Sequence, residues 1–332
     1  METPHAHLQP LQTASSRQRI VIAGGSGFVG RSLAIALTAR GDEVVILSRD
    51  RSSNTFPWRT VNWDGRTVGS WVEELEGATA LINLAGRSVD CVKSPENIDA
   101  ILRSRIDSTR VLGQALRLVK TPPPVWVQMS TAHIYGDSLD VTCTEQSPLG
   151  YGLAPFVGQA WEAALQESLL PEQRGVILRT SFVLGKNQGA GMGALKRLHG
   201  LTRLGMGGRI GSGRQGISWI HEHDLNTLFI HALTNSKMHG AYVASAPRPV
   251  SQVEFMRALR RALGVPIGLP SPAWLVALGA RWILRTDPEL ALYGRYVVSQ
   301  RLAQLPFKFQ FEKIESALGH IFTQSGSTAF AA

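Results

Sequence analysis

The chain has 332 residues, a formal net charge of +9, and 44% apolar against 18% charged residues. That is enough for one large α/β unit, or that unit plus a small lobe, and no apolar run reaches the ~20 residues of a membrane span. The basic charge is dispersed and no aromatic-interleaved basic motif appears. This argues against nucleic acid and for small anionic ligands, such as a phosphorylated cofactor.

Residues 1–18 are polar, with His5, His7 and Pro10, and lack the apolar core of a secretory signal. We expect a disordered tail on a cytoplasmic protein, with an organelle transit peptide as the alternative. Residues 323–332 read as a second tail. Cys91 and Cys143 stand apart without metal-ligand spacing, which fits a reducing compartment.

The β-branched run Ile20-Val21-Ile22-Ala23 stops at Gly24-Gly25-Ser26-Gly27-Phe28-Val29-Gly30, and an amphipathic stretch follows to Arg40. That pattern predicts a buried strand, a tight turn and a helix opening. Gly24 would permit the turn, Gly27 would admit a diphosphate to the backbone and Gly30 would let the helix pack closely. Phe28 and Val29 would present helix N-terminal N–H groups to the phosphates. Glu43 to Leu47 reads as the second strand, ending in Ser48-Arg49-Asp50-Arg51. Arginine near that strand end suits the 2′-phosphate of NADP, whereas an acid suits the ribose of NAD. Ser48, Arg49 and Arg51 therefore favour NADP over NAD, against the reservation of Asp50.

Thr60 to Gly65 predicts a short strand and turn, with Asp64 either accepting from the adenine amino group or capping the turn. Ala80 to Gly86 is a further buried strand, and Leu84, Ala85 and Gly86 would approach the cofactor ribose. Pro95 opens a long helix through Leu116. Arg103 and Arg105 are expected on its solvated face, with Arg105 turned towards the cofactor as the alternative. Val125 to Ser130 is a strand leading into Thr131-Ala132-His133-Ile134-Tyr135-Gly136, so hydroxyls, an imidazole and a phenol stand at a parallel strand's carboxyl end, where ligands bind in doubly wound sheets. A helix over 156–170, a strand over 175–180, a loop over 205–214, a helix through Leu225 to Leu233 and a returning strand at 240–244 complete the core. The apolar stretch from Pro272 to Leu284 is too short to span a membrane and reads as a buried or partner-facing helix.

The glycine turn, Leu84-Ala85-Gly86, Ser130-Thr131 with Tyr135-Gly136, and Leu178-Arg179-Thr180 fall in the order of the extended short-chain dehydrogenase/reductases. More narrowly, the chain resembles their NAD(P)-dependent nucleotide-sugar epimerase-like branch with an extra C-terminal domain, sometimes labelled SulA-like. Arg103-Ser104-Arg105-Ile106, Trp161-Glu162, Gly211-Ser212-Gly213-Arg214-Gln215 and Ser218-Trp219-Ile220-His221 carry that narrower likeness. The resemblance implies an α/β fold, a doubly wound parallel Rossmann sheet with a smaller C-terminal substrate lobe. The core would be 19–183, with 217–246 returning to it, and the lobe 184–216 and 247–322.

The resemblance also implies a Tyr-x-x-x-Lys proton-transfer pair, but those places fall on Ala154 and Gly158, and lysine is absent from the segment. Thr131, His133 and Tyr135 remain as catalytic candidates, with Ser130 at the cofactor. Arg179, Arg214, Gln215 and His221 are candidates for an anionic small-molecule substrate. His221-Glu222-His223-Asp224 is read as a strand-to-helix junction, not a metal site, with Asp224 as the expected cap. The reading is an NADP-binding reductase or epimerase-like protein, monomer or homodimer. The alternative is a non-catalytic NADP-sensing or scaffold protein.

Overall fold

The computed structural model describes residues 18–49, 56–186, 194–282 and 286–323. Both expected tails and Arg51 lie outside the described residues, apart from Gln18 and Thr323. Seven strands form one parallel sheet: β1 (Arg19–Ala23), β2 (Glu43–Ser48), β3 (Arg59–Asn62), β4 (Ala80–Asn83), β5 (Val125–Thr131), β6 (Arg174–Thr180) and β7 (Gly240–Ala244). Their order is β7-β6-β5-β4-β1-β2-β3, every neighbouring pair parallel. The order reverses between β1 and β4, and the crevice outside their carboxyl ends is where such sheets take ligands.

The inner strands are largely apolar because helices cover both faces, while the edge strand β3 has no buried residue. Nine helices are described: α1 (Phe28–Ala39), α2 (Pro95–Leu116), α3 (Leu153–Ser168), α4 (Ala194–Leu201), α5 (Glu222–Thr234), α6 (Gln252–Leu263), α7 (Ala273–Trp282), α8 (Glu289–Leu292) and α9 (Ile314–Thr323). Alternation along β1 divides the core. Ile20 and Ile22 pack with Leu33 and Leu37 of α1 and Leu228 and Phe229 of α5. Val21 and Ala23 face the other way, with Val111 and Leu112 of α2 and Leu165 of α3. A third cluster joins Leu184 and Trp219 to Phe255 and Leu259 of α6 and to Leu318 of α9.

Gly240–Ala244 enters the main sheet as expected. Trp219–His221 does not; it pairs with Phe182–Leu184 in a separate two-stranded sheet. Helical structure also runs further than the glycine content suggested, because α4 continues into a wider turn over Thr202–Met206, where Gly205 takes a φ of +81°. A strand at Ser138–Cys143, which we did not expect, pairs in parallel with Arg295–Val297. Helix α7 is not buried: Trp274, Leu275, Leu278 and Trp282 are exposed and Ala280 alone of its residues is buried. Among the described residues no helix is long and apolar enough to cross a membrane.

Candidate functional site

The glycine turn lies in the crevice between β1, β2 and β4. Gly24 N–H donates to Leu47 O at 2.9 Å, and Gly24 has a φ of +74°. A Cβ on Gly24 would lie 2.7 Å from the Ala85 Cα, and one on Gly30 would lie 2.4 Å from the Gly25 Cα. Both glycines are therefore required by close backbone approach. Gly27 differs: a Cβ there would meet only the Gly24 oxygen, at 3.9 Å. Its lack of a side chain serves no protein contact and leaves a cradle in front of the first turn of α1.

Gly27 is the N-cap of α1, makes no side-chain cap bond, and is followed by no acidic residue in the first turn. The free N–H groups and the positive end of the helix suit an anion there. Phe28 and Val29 are the first two residues of that turn. Arg31, which sequence reasoning missed, donates Nε to Ser26 O at 2.9 Å and so braces the turn. Its guanidinium stands 5.1 Å from the Phe56 ring centroid. Ser48 is buried at the end of β2, and Arg49, directly after it, is exposed.

Asp64 caps its own turn: Oδ1 accepts from the Arg66 and Thr67 N–H groups at 2.8 Å each, and Oδ2 from the Thr67 hydroxyl at 2.6 Å. The Thr67 hydroxyl and amide hold its carboxyl below the usual carboxylate range. Next to the turn, Leu84 N–H donates to Ala23 O and Ala85 N–H to the buried Asn83 Oδ1. Asn83 in turn donates to Thr109 and Gln128, both at 3.1 Å, which fixes the end of β4.

Arg103 lies on the solvated face of α2, paired with Asp99 at 2.9 Å. Arg105 does not, contrary to the solvated position first expected. Its guanidinium folds inward over the Trp161 ring, 5.0 Å from the centroid, and its Nη1 donates to the carbonyls of Arg87 and Ile101. A Cβ on Gly86 would lie 3.1 Å from its Cζ. Burial lowers its pKa to about 10.

At the end of β5, Thr131 caps the short turn Ala132–Tyr135 by accepting from His133 N–H at 3.1 Å. That leaves the Thr131 hydroxyl proton without a partner among the described residues. Ser130 points to the other face of the strand and donates to Glu162 Oε1 at 2.7 Å. Burial, then the charge of Arg295, pushes His133 down to about 3, so the imidazole is neutral. Tyr135 is buried, accepts from Arg179 Nη1 at 2.8 Å, and burial holds its pKa above the usual phenol value against the pull of Arg179.

Three of the four substrate candidates turn inward. Arg179 grips Glu162 with a two-bond fork and also binds Tyr135. Gln215 is buried and donates to the carbonyls of Ile210 and Ala291. His221 is the N-cap of α5: Nδ1 accepts from His223 N–H at 3.0 Å, while Nε2 lies 3.2 Å from His320 Nδ1 and the ring stacks on Phe311. Asp224 is not the cap; its two oxygens accept the Gln310 and Phe311 N–H groups, because the ring beside it already satisfies the helix end. Arg214 is exposed and pairs with Asp140 at 2.8 Å. Among the described residues no group of histidine, cysteine or acidic side chains could hold a metal ion.

The place of the superfamily lysine is closed. A Cβ on Gly158 would already lie 3.1 Å from Ile134 Cγ1, and Ala154 sits exposed at the start of α3. Sequence reasoning also missed Arg295, whose Nε donates to Gly136 O at 2.5 Å.

Residues 20–244 match the model of the NAD dependent epimerase/dehydratase family. The chain belongs to that family. Residues 271–321 match a domain of unknown function that accompanies it here. The bovine epimerase family protein SDR39U1 is 32% identical over 310 residues, covering 91% of this chain and 99% of the relative. The crystal structure of human SDR39U1 with NADPH is 30% identical, with a TM-score of 0.81 over 92% of this chain and 99% of that one. MoeE5 in complex with UDP-glucuronic acid and NAD is 18% identical, with a TM-score of 0.74 over 93% of this chain and 99% of that one; that likeness shows the shared family fold alone. Within this family, then, the chain has the glycine turn, and the places expected for a Tyr-x-x-x-Lys pair hold Ala154 and Gly158.

Proposed function

We propose that this epimerase-family chain binds NADP and reduces or epimerises a small carbonyl compound, anionic or nucleotide-linked, without a Tyr-x-x-x-Lys pair. The observation that carries the reading is the cradle at Gly27, in front of an uncapped, acid-free helix N-terminus. A diphosphate there would accept hydrogen bonds from the N–H groups of the α1 opening, Phe28 and Val29 included. The NADPH of the human relative supports the same choice of ligand.

Arg49 would meet the 2′-phosphate, with Arg51 as a second cation and Ser48 behind them. Leu84, Ala85 and Gly86 would run beside the ribose, with Asp64 near the adenine and Arg105 beneath Gly86. A bound nicotinamide supplies or accepts a hydride. For this chain's own residues, Thr131 has a hydroxyl proton to offer a carbonyl oxygen, because its lone pair already takes the His133 N–H. Neutral His133 is the candidate proton carrier two residues on. Tyr135 and Ser130 are read as supports, since each is tied into the Glu162–Arg179 pair. Substrate contact on the lobe falls to Arg214 among the original candidates.

A second reading, a non-catalytic NADP-binding protein, is favoured by one observation: Ile134 fills the place of the missing lysine. NADPH oxidation against a panel of carbonyl compounds, together with epimer formation from nucleotide sugars in the presence of NADP+, separates the two. Turnover that disappears in Thr131→Val while NADPH still binds supports the enzyme. Absence of turnover across the panel, with tight NADPH binding, supports the second reading.

A further inference from the structure

Three largely buried arginines show how differently this chain treats a guanidinium taken out of water. Arg179 is neutralised by Glu162 and also donates to Tyr135. Arg174 donates to three carbonyls, those of Ala232, Leu233 and Met238. Arg295 makes one bond, from Nε to Gly136 O, and its two Nη groups have no hydrogen bond or ion pair among the described residues. A guanidinium held by a single bond, and desolvated enough to lower its pKa to about 10, keeps two Nη groups available to an anionic ligand.

The side chain is held from a fixed backbone. Arg295 begins the strand paired with Ser138–Cys143, its carbonyl accepts from the Ser218 hydroxyl at 2.9 Å, and Ser138 N–H donates to Gly294 O at 2.9 Å. Asp137, whose charge reaches Arg295, accepts Gly294 N–H through Oδ1 and forms no ion pair with Arg295. The carbonyl that anchors Nε belongs to Gly136, at the far end of the turn that opens with Thr131 and contains His133. The guanidinium is thereby tied to the far end of the turn whose first residue carries the hydroxyl assigned to the substrate carbonyl, and its charge reaches His133.

We infer that Arg295 is a substrate-binding residue that holds a carboxylate, and that the substrate is a carbonyl compound bearing one. A guanidinium fork matches a carboxylate with two parallel N–H···O bonds. The local charge argues for a monoanion over a phosphate monoester, because the charge of Asp137, which reaches Arg295, repels a dianion more than a carboxylate. Arg105 does not compete for this role, because it lies under Gly86 on α2 with Trp161 across its face.

The inference rests on the proposed function, and the test separates the two. Protein is first titrated with NADPH; the loaded protein is then titrated with pyruvate, D-glucuronate, D-glucose and D-glucose 6-phosphate by ligand-observed NMR, for the wild type, Arg295→Gln and Arg295→Lys. We expect binding of at least one carboxylate, at least tenfold weaker in Arg295→Gln and weakened also in Arg295→Lys, which keeps the charge and loses the fork. Glucose 6-phosphate and glucose should bind at least tenfold more weakly than the better carboxylate. Carboxylate affinity that is undetectable in the wild type, unchanged in both variants, or below that of the phosphate overturns the inference while leaving NADPH binding intact. Failure of the first titration overturns the proposed function instead. Should Arg295→Gln fold poorly, the wild-type ligand ranking and Arg295→Lys decide the matter.

Discussion

Arg179 and Glu162 face each other through two parallel hydrogen bonds, Nε to Oε1 at 2.9 Å and Nη2 to Oε2 at 2.8 Å, with side chains only 10% and 13% exposed. Burial works against the guanidinium charge, but Glu162 more than restores it, so the pKa of Arg179 is raised. The pair ties β6 to α3, and through Ser130 and Tyr135 it fixes both ends of the segment that carries Thr131.

Breaking one side of this pair leaves a buried charge without a partner. Glu162→Gln should cost about 3–5 kcal/mol of stability, measured by urea denaturation. Pairing it with Arg179→Met should recover part of that loss. A Glu162→Gln protein as stable as the wild type would show that the pair does not carry the segment.

The glycines of the turn should separate by role. Gly27 has an ordinary φ of −74° and open space beyond it, so Gly27→Ala should leave the melting temperature within about 2 °C, since surface changes cost under ~0.5 kcal/mol, and weaken NADPH binding at least tenfold. Gly30→Ala forces a Cβ to 2.4 Å from Gly25 and should lower both stability and affinity. Equal effects of the two substitutions on melting temperature would contradict the assignment of the cradle.

Cofactor preference has its own variant. NADPH should bind more tightly than NADH, and Arg49→Ala should remove most of the difference, since a charge-assisted bond is worth about 1.5–3 kcal/mol. Fluorescence titration of both nucleotides checks this, and an unchanged ratio in the variant would reject Arg49 as the 2′-phosphate ligand.

Acid should weaken the fold through His221. Burial, then the charges of His320, His223 and Lys186, lowers its folded pKa to about 3, whereas an unfolded histidine titrates near 6.5. The folded-state pKa is the depressed one, so this contribution is fully present above about pH 6.5. It is lost as pH falls from there towards 3, at up to about 1.4 kcal/mol per pH unit. His221→Asn keeps an N-cap acceptor without a titrating ring. Urea midpoints between pH 7.5 and pH 5 should fall less steeply in the variant; parallel curves would contradict the role given to His221.

The turn from Ile20 to Gly30 was legible because its signals are local: strand, glycines and helix follow in one short stretch. The internal partners of Arg179, Gln215 and His221 were not legible, because polarity near a strand end looks alike whether it faces a ligand or an internal partner. Arg179 finds Glu162 17 residues away and His221 finds His320 99 residues away. Arg105 misled for a related reason, as its inward fold depends on Trp161, on a different helix. The strand Ser138–Cys143 gave no alternating pattern because four of its residues in a row are exposed, and Arg295 is tied to Gly136 across 159 residues. The missing lysine, by contrast, was visible in the sequence; that Ile134 fills its place was not.

The role proposed for the turn from Gly24 to Gly30 is to grip the diphosphate of a pyridine nucleotide. The most direct measurement is calorimetric titration of the wild-type chain with NADPH and NADH at 0.15 M salt, beside Gly27→Ala. Saturable binding of NADPH to the wild type, weaker binding of NADH, and a large loss for both in the variant are expected. Heats indistinguishable from dilution for both nucleotides in the wild type would contradict that role.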